Sequence, residues 1–571
     1  MKNLFKYFKN YKKEVILAPT FKLLEALLEL LIPIIVANII DNGIKNNDTT
    51  YIIKMVILMI GCGLVGLILS LIGQFFSAKA AVGFSTKLRR DLFKKLQELS
   101  FTQIDNLGTA SMITRMTNDV NQLQTGINLT LRLFLRSPFV VFGAAIMASR
   151  IAPHVSHIFF ITIGVLSIIV FGIILISLPM YKKTQENLDN VLEKTSENLT
   201  GSRVIRAFAN EETEIENYNV STKKLEKQQN KVGNLSFLMN PLTYIVVNLA
   251  IILLINQGAI LVSAGVILQG TVIALYNYMS QILVELIKLA NLIVTMTKSI
   301  ASGKRINQVF EIDTHTDVLE NTNNQELPYL VFDNVSLTYN MSQEASLEKI
   351  NFNLEKGQIL GIIGGTGSGK SSLINLLLRF YDVTSGNIIL DNQIIESYDP
   401  ILLRDKVSIV PQKAVLFKGT IRSNILMGKE DATDEEIIEA LEIAQAIDVV
   451  NSKGGLDAVV EQNGRNYSGG QKQRLSIARS LIKKPEILIL DDSSSALDYA
   501  TDAKLRMALK NLDYHPTIII VSQRTTSIEH ADKILVLDDG EQVGFDNHDN
   551  LLKSCEVYQE IYYSQFKGGN K

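Results

Sequence analysis

The chain has 571 residues, of which 47% are hydrophobic and 20% are charged. This length exceeds the usual size of a single globular core and predicts at least two domains. The formal net charge is −2, so no basic excess favours nucleic acid as a partner, and we expect none. The two cysteines, Cys62 and Cys555, match neither a disulfide framework nor a spacing of metal ligands.

Six apolar stretches in the first half are long enough to cross a bilayer, which takes about 20 residues. They cover residues 15–40, 52–78, 127–149, 155–180, 236–262 and 271–297. Lysine and arginine concentrate at the N-terminus and in two of the segments between spans, so the positive-inside rule predicts that both termini are cytoplasmic. The charged faces of these two segments predict that the helices continue beyond the bilayer. We therefore expect an all-α membrane domain over residues 1–311.

Ionisable residues are costly inside a membrane, and two spans contain them. In the first span Lys22, Glu25 and Glu29 share one helical face, where snorkelling or mutual pairing competes with a functional role. The sixth span carries a polar stripe at helical spacing: Asn277, Gln281, Glu285, Lys288 and Asn291. Hydrogen bonds between helices, with a Glu285–Lys288 pair, and a water-filled translocation cavity are compatible interpretations of this stripe.

The second half resembles a soluble α/β protein. Residues 312–328 are polar and aperiodic, which predicts a linker before a domain at residues 329–571. There the apolar run Ile359–Ile363 predicts a buried strand, and Ser372–Phe380 predicts a helix. Between them lies a phosphate loop: Gly364, Gly365, Thr366, Gly367, Ser368, Gly369, Lys370 and Ser371.

This loop has a chemical rationale that a merely flexible glycine-rich turn lacks. Its glycines allow consecutive backbone N–H groups to surround phosphate oxygens, and the helix N-terminus adds a positive partial charge. Lys370 neutralises the β- and γ-phosphates, and the Ser371 hydroxyl is a ligand for Mg²⁺. We also place Ser372 in the nucleotide site.

A second predicted strand, Ile487–Leu490, ends in a pair of carboxylates, Asp491 and Asp492. Carboxylates at this position of a phosphate-loop enzyme face Mg²⁺ and the attacking water, and Asp491 is suited to hold the metal shell. Between the two strands, a Ser-Gly-Gly-Gln sequence opens a basic helix. By itself such a sequence is only an anion-friendly helix N-terminus.

In this order the motifs resemble the ATP-binding cassette (ABC) transporter family, in the exporter branch that fuses six membrane helices to one α/β cassette. The resemblance covers essentially the whole chain. It implies that Tyr339 stacks on adenine and that Gln412 reaches the Mg²⁺, together with Ser371 and Asp491. It also implies that ATP contacts the signature motif: Ser468, Gly469, Gly470 and Gln471, preceded by Tyr467 where leucine is more usual.

The resemblance further implies a head-to-tail dimer with a second half-transporter. Each ATP lies between one cassette's phosphate loop and the other cassette's signature motif, and closure drives alternating access. Two patterns in the first half resemble the turns that couple the domains. One comprises Asp105, Gly108, Arg115, Thr117 and Asp119; the other is Gly201–Phe208 with Glu211 and Glu214.

Two positions depart from the family pattern. Asp492 stands where the family has its catalytic glutamate, and Gln523 stands where it has its switch histidine. With Lys370, these are the predicted catalytic residues, and the two changes resemble the degenerate subunit of heterodimeric exporters. We expect such an exporter of an amphipathic drug, lipid or peptide in a bacterial plasma membrane. The alternatives are a homodimeric exporter or lipid flippase, and an ATP-binding regulatory or channel-like protein that does not pump.

Overall fold

The computed structural model describes residues 2–313, 327–339 and 344–566. The chain divides into two compact units. The first comprises Met1–Glu98 and Gly108–Asp313, and the second comprises Leu99–Leu107 and Thr314–Lys571. Most of the predicted linker, residues 314–326, lies outside the described residues.

The first 313 residues are built from helices. In chain order these are a 3₁₀ helix Lys2–Tyr11, α1 Lys12–Asn38, a π-helical turn Ile39–Ile44, α2 Thr49–Gln97, α3 Phe101–Leu107, α4 Thr109–Thr114, a π-helical turn Arg115–Asp119, α5 Val120–Leu133, α6 Arg136–Ile151, a 3₁₀ turn Pro153–Val155, α7 Ser156–Thr200, α8 Ser202–Ala207, α9 Glu211–Phe237, α10 Met239–Ser263 and α11 Gln269–Phe310. Of these, α3 belongs to the second compact unit.

Within the described residues, six helical segments are long and apolar enough to span a membrane: Leu4–Ile44, Thr49–Gln97, Thr109–Ile151, Pro153–Thr200, Glu211–Ser263 and Gln269–Phe310. The number and order of the predicted spans are confirmed, and the chain is a multi-pass membrane protein. Each segment runs beyond its predicted bounds because hydropathy detects only the apolar part of a helix. The extension is clearest in α2, which has 49 residues.

The second unit is α/β. Its elements are β1 Leu330–Leu337, β2 Leu347–Leu354, β3 Ile359–Gly364, α12 Lys370–Leu377, β4 Ser385–Leu390, β5 Gln393–Ile394, a 3₁₀ turn Ile395–Ser397, α13 Pro400–Lys406, β6 Val407–Val410, β7 Gly419–Thr420, α14 Ile421–Ile425, α15 Asp434–Ile443, α16 Ile447–Lys453, β8 Val459–Val460, a 3₁₀ turn Gln462–Gly464, α17 Gly469–Leu481, β9 Ile487–Asp491, α18 Tyr499–Lys510, β10 Thr517–Val521, a 3₁₀ turn Thr525–Ser527, β11 Lys533–Asp538, β12 Glu541–Asp546, α19 His548–Ser554 and α20 Glu556–Phe566.

Ten of these strands form one sheet in the order β5-β4-β1-β2-β12-β11-β3-β10-β9-β6. The run from β11 to β6 is parallel. Its strands are rich in buried isoleucine, leucine and valine, as expected for a parallel sheet covered on both faces. Two apolar cores provide this cover, one holding Leu373 and Leu377 of α12 and the other holding Ile477 and Leu481 of α17.

The predicted strands are confirmed, and the helix predicted at Ser372–Phe380 is present with different bounds. The helix α12 begins at Lys370 and ends at Leu377. Its early start follows from Gly369, whose φ of 93° ends the phosphate loop. Its early end follows from Arg379, which turns left-handed at φ 49°, while Phe380 N donates to Asn375 O at 2.8 Å. Such a turn closes a helix C-terminus.

Candidate functional site

Four predicted site segments meet at one edge of the parallel sheet. The phosphate loop follows β3, Gln412 follows β6, Asp491 ends β9, and Gln523 follows β10. These strands are neighbours in the order β3-β10-β9-β6. Because all four are parallel, their carboxyl ends lie on the same side, where α/β proteins bind ligands. Sheet topology therefore collects residues separated by up to 159 positions in the chain.

The phosphate loop is held by close backbone approaches. A Cβ at Gly364 would lie 2.1 Å from Leu537 O, and a Cβ at Gly369 would lie 2.6 Å from Ser346 O. Gly367 has a φ of +89°, which L side chains rarely adopt. Gly365, Thr366 and Gly367 form the exposed tip of the loop, whereas Ser368 is buried. Glycine is thus required by packing at two positions and by backbone conformation at a third.

Lys370 extends along this loop from the first residue of α12. Its Nζ donates to Gly364 O at 2.9 Å, to Gly365 O at 2.5 Å and to Ser368 Oγ at 3.3 Å. Burial lowers the pKa of Lys370, while the carboxylates of Asp492 and Asp491 favour its charged form. The ammonium group therefore lies against the phosphate loop, within electrostatic range of the two carboxylates.

A polar cavity of about 340 Å³ opens over the loop. Its lining combines loop residues with two turns that the sequence analysis did not identify: Glu344, Ala345, Ser346, Gly367, Gly369, Lys370, Ser371, Ser372, Asp539 and Gly540. The Asp539–Gly540 pair is a recognisable hairpin turn between β11 and β12. Nothing local in the sequence indicates that this turn faces the phosphate loop, because the sheet order alone brings it there.

Asp492 is held in an uncommon backbone conformation beside Asp491. Its φ is 44°, its N–H donates to Val521 O at 2.9 Å, and its carbonyl accepts from Ser495 Oγ at 2.8 Å. The side chain accepts from Gln412 Nε2 at 3.2 Å. Left-handed conformations of non-glycine residues cluster at functional sites, where the surrounding structure holds them.

Asp491 is half-buried, as is the adjacent Asp492. Burial raises the pKa of Asp491, the adjacent Asp492 carboxylate raises it further, and Lys370 opposes both effects. Two neighbouring carboxylates that are hard to ionise together are stabilised by a bound cation. The acidic end of the site is thus arranged for a positively charged ligand.

Tyr339 packs against the start of α12. Its hydroxyl donates to Ser372 Oγ at 3.1 Å, and its ring meets the Tyr381 ring edge-on at a centroid distance of 4.9 Å. The contact places the predicted base-stacking residue and Ser372 next to the loop.

The signature residues are located elsewhere in the unit, at the N-terminus of α17. Ser468 and Gln471 form a capping box: Gln471 N donates to Ser468 Oγ at 3.3 Å, and Ser468 N donates to Gln471 Oε1 at 3.0 Å. Gly469 is open, with no atom within 4 Å of a Cβ placed there, and a Cβ at Gly470 would lie 2.9 Å from Ala496 O. The unusual Tyr467 is buried in the core behind this turn.

Sequence reasoning missed Gln565, in the last helix. Its side-chain oxygen accepts from Thr525 N at 2.9 Å and from Thr525 Oγ1 at 3.0 Å, and its Nε2 donates to Gln523 O at 2.7 Å. The exposed Gln523 side chain therefore stands on a loop fixed by α20. No sequence signal predicts this contact, since the two glutamines belong to no shared motif.

The first coupling pattern is divided between the two units. Asp105 lies in α3, where its carboxylate accepts from Tyr381 Oη at 2.6 Å, and the Phe101 ring lies 4.3 Å from the Phe380 ring. These contacts are internal to the second unit. Asp119 is buried in the first unit and paired with Arg305.

The polar residues of the first and sixth spans meet through Arg136, which the sequence analysis also missed. Arg136 donates from Nη2 to Glu29 Oε2 at 2.5 Å and from Nη1 to Glu285 Oε1 at 2.7 Å. The expected pairs are present as well: Lys288–Glu285 at 2.7 Å and Lys22–Glu25 at 2.6 Å. We call these six residues, Lys22, Glu25, Glu29, Arg136, Glu285 and Lys288, the membrane ion cluster. Three positive and three negative charges balance within it.

Comparisons with known proteins agree with both halves. Family models match as "ABC transporter transmembrane region" over residues 15–286 and as "ABC transporter" over residues 347–495. The uncharacterized ABC transporter ATP-binding protein YfiB of Bacillus subtilis is 34% identical over 528 residues, 92% of each chain. The ATP-dependent lipid A-core flippase of Mannheimia succiniciproducens is 27% identical over 98% of this chain and 96% of its own length.

A solved structure has the same architecture. It is a bacterial Atm1-family ABC exporter with ATP bound, and it superposes with a TM-score of 0.81 over 98% of this chain and 99% of that chain. The two sequences are 22% identical. This similarity shows that the two chains share a fold.

Proposed function

Because the chain belongs to the ABC transporter family, it is an ATPase coupled to membrane transport, and we propose that it is one half of a heterodimeric exporter with unequal ATP sites. The observation that carries the proposal is Asp492 at the end of β9, combined with Gln523 after β10. Both lie at the edge that holds the phosphate loop. We therefore assign this chain the slower of two composite sites.

The reach of Asp492 supports this assignment. Aspartate is one methylene shorter than glutamate, so its carboxylate ends about 1.5 Å closer to the backbone. Hydrogen bonds to Val521 O and from Ser495 Oγ hold that backbone in place, so it cannot advance to compensate. Gln412 already engages the carboxylate. A general base outside hydrogen-bond reach of water loses its contribution to the rate.

Gln523 adds a second deficit at the same site. A histidine can carry a positive charge beside the γ-phosphate, whereas a glutamine amide stays neutral. Gln565 anchors the backbone of Gln523, so the side chain after β10 keeps its place but carries no charge. Nucleotide binding can persist under these changes, because Lys370 and the loop glycines are retained.

The residues around the loop fit a magnesium ion. Ser371 supplies a hydroxyl oxygen, Gln412 an amide oxygen and Asp491 a carboxylate, and all three are hard ligands of the kind that Mg²⁺ prefers. The raised pKa of Asp491 fits as well, because a cation relieves its repulsion from Asp492. When bound, the ion neutralises phosphate charge, and Lys370 orients the same oxygens.

The signature motif at the N-terminus of α17 supports the proposal of a second, faster ATP site. Ser468 and the open Gly469 are presented at the N-terminus of α17, a favourable place for an anion. In the proposed dimer these residues contact the ATP held by the partner's phosphate loop. This chain then contributes Asp492 and Gln523 to the slower site and its intact signature motif to the faster one.

Restoring the missing groups tests the proposal. In the purified two-subunit complex, Asp492→Asn should change ATP turnover less than about twofold, because a base already out of reach is being removed. The double variant Asp492→Glu with Gln523→His should raise turnover, because both groups return. Asp538→Glu serves as the matched control, since this exposed aspartate lies at the end of β11. A complex that stops hydrolysing ATP with Asp492→Asn contradicts the proposal.

A homodimeric lipid flippase is the second candidate function, favoured by the similarity to a relative named as a lipid A-core flippase. Purification of this chain alone separates the two. Full ATPase and transport activity without a partner would support the homodimer, whereas activity that requires the second subunit would support the heterodimer.

The bacterial relatives support a plasma-membrane location, and the lysine-rich start of the chain supports cytoplasmic termini.

We place the translocation path of an amphipathic substrate along α11. Asn291 is exposed and Gln281 is half-buried, whereas Leu275 and Leu286 are packed inside the bundle. In a variant with Cys62 and Cys555 replaced by serine, Asn291→Cys and Gln281→Cys should react with a membrane-impermeant thiol reagent. Leu64→Cys, at an exposed apolar position on α2, is the control. Equal labelling at all three positions contradicts a water-filled path.

A further inference from the structure

The 3₁₀ helix Lys2–Tyr11 has three edges of different chemistry. A 3₁₀ helix has three residues per turn, so side chains three apart lie above one another. Leu4 and Tyr7 form a buried edge, each 4% exposed. Phe5 and Phe8 form an aromatic edge. The third edge is basic and exposed, with Lys6, Lys9 and, at the junction with α1, Lys12.

The aromatic edge lines an apolar cavity of about 540 Å³ in the first unit. Phe5 and Phe8 form one wall, Ile127 and Leu131 of α5 form a second, and Ile300 of α11 contributes to a third. Phe5 remains 63% exposed at its mouth. An apolar cavity of this size accepts hydrocarbon readily and polar solutes poorly.

The basic edge is fixed next to this cavity. Lys6 Nζ lies 5.6 Å from the centre of the Phe310 ring, which ties the edge to the end of α11. The acidic residue at the start of α1, Glu14, is already paired with Lys79 at 2.9 Å. Lys6 is thus oriented by the protein, and the exposed lysine edge is available to an external anion.

We propose that this corner is a binding site for an anionic phospholipid, with an acyl chain in the cavity and the headgroup on Lys6, Lys9 and Lys12. An amphipathic helix of this kind lies in the membrane interface, where headgroups and acyl chains meet. Each lysine near an anionic surface strengthens attraction about fivefold. The acyl cavity excludes free phosphate as the preferred occupant. The lipid is a resident ligand, distinct from the transported substrate.

Fluorescence quenching tests the site, because the chain contains no tryptophan. Phe5→Trp places a reporter at the cavity mouth, and Phe75→Trp, on an exposed part of α2, reports ordinary surrounding lipid. The full assembly is reconstituted in phosphatidylcholine with increasing fractions of brominated phosphatidylglycerol or brominated phosphatidylcholine. Emission from the parent assembly is subtracted as background.

We expect Phe5→Trp to be half-quenched at a fraction of brominated phosphatidylglycerol about tenfold lower than of brominated phosphatidylcholine. Phe75→Trp should respond to both equally. Lys6→Gln, Lys9→Gln and Lys12→Gln together should abolish the preference, whereas the same change at the exposed Lys223, Lys224 and Lys227 of α9 should preserve it. Phe8→Trp repeats the measurement on the same edge.

Three results overturn the proposal. Equal quenching of Phe5→Trp by both lipids means that the site does not select an anionic headgroup. Protection from both lipids means that a partner subunit or substrate fills the cavity. Loss of preference in the α9 control means that overall charge, and not the basic edge, attracts the lipid. None of these results bears on whether the exporter has unequal ATP sites.

Discussion

The membrane ion cluster and the edge of the parallel sheet both gather charged side chains, but they use them differently. In the membrane unit, Glu285 accepts from Arg136, Ser137 and Lys288, each at 2.7 Å. In the cassette, Asp491 and Asp492 lie side by side, and burial raises the pKa of Asp491. The charges of the membrane ion cluster are paired with one another. The Asp491 and Asp492 carboxylates repel each other, and a cationic ligand would relieve that repulsion.

This difference between paired and repelling carboxylates indicates which charged residues are candidates for binding a ligand. A carboxylate saturated by protein donors gains little from a further partner, and breaking its pairs is costly. Perturbed carboxylates in a polar cleft are, in contrast, candidates for function. The intramembrane charges therefore hold α1, α6 and α11 together, which leaves the uncharged residues of the stripe for the translocation path proposed above.

The largest effect should follow from breaking the membrane ion cluster. Arg136→Gln leaves Glu285 and Glu29 without their shared cation and should cost about 3 kcal/mol of stability. Thermal unfolding of the purified assembly measures the loss. Arg150→Gln, at the exposed end of the same helix, should change little.

The double variant Arg136→Gln with Glu285→Gln sharpens this prediction. Removing both charges should recover part of the loss, because Arg136→Gln leaves the buried Glu285 carboxylate with only Lys288 and Ser137 as partners, and the double variant removes that carboxylate charge. If the double variant is as unstable as the sum of the two single variants, the residues are not coupled. Arg136 would then act through packing alone.

Removing the loop cation should have the next largest effect. Lys370→Ala deletes the ammonium group that we propose faces the phosphates, and ATP affinity at this chain's own site should fall about tenfold to a hundredfold. Photolabelling of this chain by an azido analogue of ATP measures the affinity. Lys349→Ala is the control, because its side chain is exposed on β2. Unchanged labelling of Lys370→Ala would contradict the phosphate-loop assignment.

The signature serine should matter for turnover more than for stability. Ser468→Ala removes a helix cap, costing about 1 kcal/mol, and also removes the hydroxyl that we propose contacts the partner's ATP. Turnover of the complex should therefore fall about tenfold. Thr433→Ala removes the same kind of capping box from α15 and serves as the control. If both variants lose equal turnover, the effect of Ser468 is structural.

The smallest effect concerns a buried carboxylate in the cassette. Glu396 is 8% exposed, and its Oε2 has no hydrogen-bond partner among the described residues. Burial raises the pKa of Glu396 above 4.5, and the Asp382 carboxylate adds to the effect. The folded state therefore binds the proton more tightly than the unfolded state, so stability declines as pH rises above 4.5 through the raised pKa.

Glu396→Gln should accordingly stabilise the assembly at pH 8 by about 1 kcal/mol, with a smaller gain at pH 5. Thermal unfolding at both pH values measures the difference. Glu442→Gln, at an exposed position of α15, should show no such pH dependence. A gain that is equal at both pH values would assign the effect to packing.

The sequence by itself determined the six spans, the strands β3 and β9, and the candidate residues of the phosphate loop. These features are local, because hydropathy, the phosphate loop and the pair Asp491–Asp492 are each written in consecutive residues. The Glu285–Lys288 pair was predictable for the same reason, since helical geometry brings residues three apart together.

Only the tertiary structure decided which distant residues meet. Arg136 joins Glu29 and Glu285 across 107 and 149 positions, and Gln565 fixes Gln523 across 42. The Asp539–Gly540 turn reaches the phosphate cavity through the order of strands in the sheet. Such contacts depend on helix packing and strand order, which no short window of sequence specifies, and they complete both the candidate site at the edge of the parallel sheet and the membrane ion cluster.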